Sequence, residues 1–474
     1  MAGLLVSAAH KSSGKTTVSL GLCAALTTQG AVVQPFKKGP DYIDPMWLAL
    51  AAGRPCFNLD PWLQDDASLA ACYAQNQQGA DLALVEGNKG LYDGLALDGS
   101  NSNAALATRL GLPVLLVLDA RGMTRGIAPL ILGYQAFDRA IRIGGVILNR
   151  VGGSRHEGKL RAVIEHYTDV PVLGAVAEDP SLAVLERHLG LMPCNEMADA
   201  RERVADIGRR VAQQVDLLRV RALADTAAPL PAQVTTLCTP QDLATPVRIG
   251  IARDRAFGFY YPDDLAALQA AGATLVPIDT LHDTRLPALD GLFVGGGFPE
   301  ACLDALQANA ALRHALRSAV QAGLPTYAEC GGLMLMARSI TWQGRTAPMV
   351  GAIEGDAVMH ARPVGRGYVQ LQATDAHPWL PAGSTLRGHE FHHASLDNLP
   401  ADTRMAYRVQ RGHGVSGSHD GVCVHNLLAS FAHLRSGAGA TWVTGFVGFV
   451  RRVKAARALP AVAPGDAVAA ACVL

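Results

Sequence analysis

The sequence has no excess of charge of either sign: 41 Lys and Arg face 41 Asp and Glu, a formal net charge of +0. That removes the electrostatic case for nucleic acid or an anionic membrane as partner. Nine cysteines are scattered without a C-x-x-C pair, which argues against structural zinc and a disulfide framework and fits a reducing compartment. No apolar run reaches the length of a membrane span. The chain opens on a strand-like stretch, with no basic segment followed by an apolar signal core. A soluble, cytoplasmic protein is expected. Charged residues make up only 17 % of the 474 residues and aliphatic residues abound, the balance of a cored enzyme of two or three domains.

The first half is organised around Leu4–Thr17. A short apolar run ends at Ala8, a tight turn follows, and a helix-like run extends from Thr16 to about Thr28. Unpaired N–H groups at a helix start attract phosphate. In Ser13-Gly14-Lys15-Thr16-Thr17, Lys15 adds a point charge for the β/γ-phosphates and the Thr16 hydroxyl suits Mg²⁺. The match to G-x-x-x-x-G-K-[ST] is partial, because its first glycine falls on Ala9 and the extra signature lysine of one variant falls on His10.

Apolar runs at Leu4–Ala8, Val32–Phe36, Leu82–Glu86, Val114–Asp119 and Gly145–Asn149 alternate with helix-like stretches, which predicts a parallel sheet covered on both faces. Ligands of such sheets sit at the carboxyl ends of strands. After the second run comes Lys37-Lys38-Gly39-Pro40-Asp41-Tyr42-Ile43-Asp44-Pro45, suited to phosphate and Mg²⁺ or to a solvated turn. The third run ends at Glu86, a candidate for holding the metal or its water. Asp93 follows, as a site residue or as the cap of the next helix. Asn149 can pair with an adenine edge or close a turn.

Residues from about Ala177 to Arg221 read as helical and polar, with Arg201–Arg210 a solvated helix face. The first domain is placed at 1–224, a Pro/Ala/Thr-rich linker at 225–245, a second domain at 246–453 and an unstructured tail at 454–474. In the second domain Val247–Ala252, Thr274–Pro277, Gly291–Val294 and Leu324–Ala328 read as strands, with a helix over Asp263–Ala271. Gly295-Gly296-Gly297 follows a strand and either lines an oxyanion site or only turns the chain. Tyr327-Ala328-Glu329-Cys330-Gly331-Gly332 has a strand running into a cysteine, then two glycines and a helix-like run, the pattern of a nucleophile elbow. A helix N-terminus there lowers a thiol pKa. His433 is the candidate base. His389, His392 and His393 suit a metal or a structural role.

Gly14-Lys15-Thr16-Thr17, Lys37-Lys38-Gly39-Pro40-Asp41-Tyr42-Ile43-Asp44-Pro45, Val85-Glu86-Gly87, Gly90-Leu91-Tyr92-Asp93-Gly94 and Asp119-Ala120-Arg121-Gly122-Met123 resemble the amidoligase domain of the cobyrinic acid a,c-diamide synthase family. The segments around Cys330, Gly388–His392 and His433 resemble that family's class I glutamine amidotransferase domain. The resemblance implies an α/β protein: an N-terminal P-loop, dethiobiotin-synthetase-like parallel sheet and a C-terminal flavodoxin-like amidotransferase. It implies ATP with Mg²⁺, glutamine and a tetrapyrrole as partners, and a homodimer is compatible with it. By motif, Lys15, Thr16 and Lys37 would face phosphates, with Ser13, Gly14, Thr17 and Asn149 in the ATP site. Thr16, Asp41 and Glu86 would surround Mg²⁺, while Tyr42, Asp44 and Asp93 would lie near the tetrapyrrole or acyl phosphate. Cys330 would form a glutamyl thioester, with Gly296 and Gly297 near the oxyanion and His433 as base.

Departures bear on the substrate. Lys38 replaces the commoner valine, and Asn88 and Lys89 replace apolar residues; Gly99–Asn103 is also unusual. Extra lysines suggest a more anionic substrate and resemble the branch thought to amidate sirohaem. Cobyrinate or hydrogenobyrinate is the family-level expectation and sirohaem the alternative. A nucleotide-dependent regulator with an idle amidotransferase fold is the alternative of another class. Many relatives in the wider class carry a glutamate two residues after the histidine. Arg435 stands there, so a Cys–His pair is assigned and its third member left open.

Overall fold

The computed structural model describes residues 2–182, 186–187, 190–229, 245–436 and 442–458. The N-terminal half is built on β1 (Gly3–Ala8), β2 (Val33–Lys38), β3 (Phe57–Leu59), β4 (Leu82–Glu86), β5 (Val114–Asp119), β6 (Ile143–Val151) and β7 (Val172–Ala177). Their spatial order is β3-β2-β4-β1-β5-β6-β7, and every neighbouring pair is parallel. Side chains alternate between faces. Leu4, Val6 and Ala8 pack with α1 (Lys15–Thr28) in one core, and Leu5 joins the core on the opposite face. With both faces covered, the strands read as unbroken apolar runs.

β2 runs two residues beyond the expected Phe36 and takes in Lys37 and Lys38, both buried. The two-residue period sends their ammonium groups to opposite faces, each into its own polar cluster, and those partners let the strand continue. After the Gly39–Tyr42 loop, α2 (Ile43–Ala52) begins. Helix α3 (Ala200–Gln214) lies on α1, with Val204, Ile207 and Val211 in the core. The charged run Arg201–Arg210 is therefore one face of a helix that completes the first domain.

Among the described residues the main sheet of the C-terminal half has ten strands: β8 (Val247–Ala252), β9 (Ala273–Ile278), β10 (Gly291–Val294), β11 (Thr326–Glu329), β12 (Gly365–Ala373), β13 (Thr385–His392), β14 (Arg404–Arg411), β15 (His419–Val424), β16 (Leu427–Ser430) and β17 (His433–Leu434). Their order is β9-β8-β10-β11-β16-β15-β14-β12-β13-β17. The first five are parallel to one another, and every pairing from β16–β15 onward is antiparallel. The final helix, α4 (Trp442–Ala458), corrects the expected tail: it carries the chain past Val453, and Lys454 is anchored on Asp290 (2.8 Å) and the Pro246 carbonyl (3.0 Å). Residues 459–474 and most of the expected linker, 230–244, lie outside the described residues. Among the described residues no helix is long and apolar enough to cross a membrane.

The two halves meet through buried polar and aromatic contacts. Arg435 is 4 % exposed and pairs with Asp263 (2.7 Å) in its own domain. The same guanidinium reaches into the first domain, to the Asn58 carbonyl (2.5 Å) and Gln64 Oε1 (3.2 Å). Tyr368 donates to Asp60 (3.0 Å), and Arg387 donates to the Trp62 carbonyl (3.2 Å). Removing one partner of a buried pair strands the other. Arg435→Met is expected to cost about 3 kcal/mol, read as an earlier midpoint in chemical denaturation; an unchanged midpoint would show that the pair does not hold the halves together.

Candidate functional site

The turn between β1 and α1 is held open from behind. Gly14 adopts φ 89°, and a Cβ there would fall 2.0 Å from the Asn149 amide nitrogen. That amide donates to the Ser13 carbonyl (2.9 Å), so Asn149 clamps the loop. Arg150 adds a bond to the Ser12 carbonyl (2.8 Å) while paired with Asp119 (2.7 Å). Ser13 Oγ donates to the His10 carbonyl (2.8 Å), and Thr17 faces Leu182.

Lys15 is buried, and among the described residues its ammonium makes no ion pair. Burial, helped by the charge of Lys37, pushes its pKa below the ordinary lysine value, against the pull of Glu86, Asp44 and Asp93. A buried cation without a paired carboxylate is ready for an incoming anion. Lys37 is the opposite case. Its Nζ lies 2.5 Å from Asp44, 2.9 Å from Glu86 and 3.8 Å from Asp41. Burial alone would lower its pKa, but these carboxylates hold it well above the usual value. The residue expected to face phosphates is thus engaged by carboxylates.

Thr16 Oγ1 donates to Glu86 Oε1 (2.8 Å) and is 3.4 Å from Asp44 Oδ2, while Glu86 Oε2 is buried without a hydrogen-bond partner. Asp44 therefore joins Thr16 and Glu86. Asp41 Oδ1 accepts the Ile43 and Asp44 N–H groups (3.0 and 3.2 Å) and so caps α2. Asp93 is exposed and accepts the Gly90 N–H (2.9 Å); Ser102, not Asp93, caps the helix Asn103–Leu110. Asn103 has no motif around it, yet its amide bonds the carbonyls of Asn88 (2.6 Å) and Gly90 (2.9 Å) and fixes the loop after Glu86. On the opposite face of β2, Lys38 bonds the Asn101 carbonyl (2.5 Å) and Asn88 Oδ1 (3.1 Å), and burial presses its pKa down to about 8. Lys89 is exposed.

In the second domain Cys330 sits at φ 49°, ψ −102°, between β11 and the short helix Gly331–Met336. A non-glycine residue at such an angle is strained and marks a functional turn. The turn fits only because the next residues are small: a Cβ on Gly332 would lie 2.2 Å from the Val294 carbonyl oxygen. Gly296–Gly297 pairs with Phe257–Phe259 and lies beside this turn, and a Cβ on Gly296 would meet the His433 ring at 2.6 Å. His433 lies beside Cys330, and its Nδ1 is 3.4 Å from Glu329 Oε2. Burial opposes protonation of this imidazole, but Cys330 and Glu329 hold its pKa up at about 10.

His389 stacks on His433 at 4.8 Å, and burial, then His433 and Arg435, press its own pKa well below the ordinary value. His392 stacks on Phe431, and His393 contacts the His360 carbonyl. The three histidines diverge, and among the described residues no three His, Cys, Asp or Glu side chains form a metal cluster.

Tyr42 joins the two sites. It stacks on Phe259 (5.3 Å) and lies against Tyr261 (4.6 Å) and His433 (5.1 Å), while its chain neighbours Asp41 and Asp44 surround Lys37. A glycine turn with a buried lysine and nearby carboxylates, docked on a strained Cys–His turn, is the arrangement of a class: a glutamine-dependent amidating ligase of fused P-loop and class I amidotransferase domains.

Residues 5–191 match the CobQ/CobB/MinD/ParA nucleotide binding domain, and residues 248–440 match the CobB/CobQ-like glutamine amidotransferase domain. The chain is 45 % identical to the cobyrinate a,c-diamide synthase of Magnetococcus marinus, over 93 % of this chain and 95 % of that one. Identity is 40 % to that of Methanosarcina acetivorans, covering 91 % and 92 %, and 37 % to that of Listeria monocytogenes, covering 95 % and 99 %. The chain belongs to the cobyrinate a,c-diamide synthase family. It is an enzyme of glutamine-dependent amidation in cobalamin synthesis, and the regulator alternative falls.

The two sites should separate by mutation. Cys330→Ala is expected to abolish glutamine hydrolysis and glutamine-driven amidation while ammonium salts still drive amidation. Lys15→Ala should lower amidation from either nitrogen source roughly 100-fold and leave glutaminase in place. Loss of ammonia-driven turnover in folded Cys330→Ala, or full amidation by Lys15→Ala, would contradict this division.

Proposed function

We propose that the enzyme amidates the a- and c-acetate side chains of cobyrinate or hydrogenobyrinate in turn, with ATP and glutamine as co-substrates. In each round a substrate carboxylate attacks the γ-phosphorus of ATP, giving an acyl phosphate and ADP. Ammonia then attacks the acyl carbon, phosphate leaves, and loss of a proton yields the amide. Lys15 supplies positive charge where the phosphoryl group moves. Ammonia is released at Cys330 and passes the Tyr42–Phe259–Tyr261 packing to the first domain. The observation that carries the coupling is Tyr42, whose ring touches the proposed glutaminase base from a loop that bears Asp41 and runs straight into α2, where Asp44 sits in the first turn. Keeping water from the acyl phosphate is the physical reason for so closed a junction.

Mg²⁺ enters with ATP in this reading, and the residues fit it. Thr16, Glu86 and Asp44 offer hard oxygens, one of them the unpartnered Glu86 Oε2, and an ion that takes its other ligands from phosphates and water needs no full protein cage. Bound there, Mg²⁺ would offset phosphate charge.

The corrin is favoured over sirohaem by Lys38. Its ammonium is turned onto Asn101 and Asn88, so of the two extra lysines only Lys89 is exposed to meet additional carboxylates. The sheet face that carries Tyr368 is positive enough for a polyacid: Arg366, Arg387 and Arg411 are exposed on it, and Arg366 lies over the partly exposed Phe391. Incubation with cobyrinate, hydrogenobyrinate and sirohaem, with products weighed by mass spectrometry, tests the assignment. A doubly amidated corrinoid and unchanged sirohaem are expected; amidation of sirohaem alone reverses it.

A further inference from the structure

A Cys–His glutaminase requires an acceptor for the N–H on the far nitrogen of the imidazole, which keeps that proton in place and leaves the near nitrogen free to take the thiol proton. The position that supplies this acid in much of the wider class is Arg435 here, and its guanidinium is committed to Asp263, Asn58 and Gln64. The groups packed around His433 can be searched for a substitute. Cys330 lies on the reacting side. His389, stacked on the ring, is held neutral by burial, and Tyr42 meets the ring at 5.1 Å. Neither approaches Nδ1, which among the described residues has no hydrogen-bond partner. The remaining group is Glu329, directly before the nucleophile and 2 % exposed. Its Oε1 accepts the Tyr327 hydroxyl (2.7 Å) and the Leu434 N–H (2.9 Å), which aims Oε2 at His433 Nδ1, 3.4 Å away.

We propose that Glu329 is the positioning carboxylate of the glutaminase, accepting a hydrogen bond from His433 Nδ1–H, which stays on the nitrogen, and holding the imidazole with Nε2 towards Cys330. In this cycle the Sγ–H bond breaks as Nε2–H forms, and the thiolate adds to the glutamine amide carbon. The Nε2 proton then passes to the leaving nitrogen as the C–N bond breaks, releasing ammonia. Water, deprotonated by Nε2, displaces the thiolate to give glutamate. Moving the acid to the residue before the cysteine leaves the position after the histidine free for Arg435, which joins the base-bearing strand to the first domain. The inference concerns glutamine hydrolysis alone and does not depend on the macrocycle.

Glu329→Gln keeps the size and both Oε1 bonds but cannot accept from Nδ1. In the full-length protein glutaminase kcat is expected to fall about 100-fold or more, with KM changed less than about threefold and ammonia-driven amidation retained as the sign of a folded enzyme. The pH profile of Cys330 alkylation by iodoacetamide should shift, which the loss of a merely structural carboxylate would not cause. A kcat within threefold of wild type with an unshifted alkylation profile overturns the proposal. Should Glu329→Gln lose ammonia-driven amidation as well, ¹⁵N-histidine NMR of the wild type decides. A proton on His433 Nδ1 supports the role, and a bare Nδ1 overturns it.

Discussion

The ring of Tyr42 fixes how close two incompatible chemistries stand. For it to lie against His433, the loop after β2 must reach across the domain boundary, and that reach in turn places Asp41 and Asp44 around Lys37. The aromatic contacts give area but little direction. Direction comes from polar groups buried at the same boundary, Arg435 on Asn58 and Tyr368 on Asp60. Such groups add little net stability when paired and cost much when unpaired, so they select one docking register over its neighbours. A ligand that reorganises the carboxylates around Lys37 therefore acts on a loop that also contacts the glutaminase base.

The neighbouring lysines of β2 show how one residue of register separates function from support. Lys37 faces the carboxylates of the phosphate side, while Lys38 faces Asn88 and Asn101 and ties down the loops beneath. Both are buried cations, and the strand tolerates them because each finds partners within the protein. Lys15 finds none among the described residues, and the phosphate role proposed for it rests on that difference.

Much of this was legible in the sequence. The apolar runs of β1, β4, β5 and β8 announced themselves because those strands are covered on both faces, and Gly14-Lys15-Thr16 and Cys330-Gly331-Gly332 announced turns that few residue types can make. Other features were not. By apolar pattern β2 ends at Phe36, because two lysines look like a loop, and only the placement of Asn88, Asn101, Asp44 and Glu86 compensates them. The antiparallel strands of residues 365–411 carry polar residues on the face towards the first domain and so lack a clean apolar pattern. Asp44 joined Thr16 through a hydroxyl–carboxylate approach that no spacing rule encodes. Arg435 was visible as a departure, but its partners lie more than 150 positions away in the chain.

The central claim is that nitrogen liberated at Cys330 reaches the activated carboxylate without leaving the protein. Amidation with glutamine labelled with ¹⁵N in its side-chain amide, in the presence of a large excess of unlabelled ammonium, tests it directly. The account predicts that the new amides retain the ¹⁵N label almost undiluted. Label diluted to the ratio of the bulk ammonium pool would contradict it.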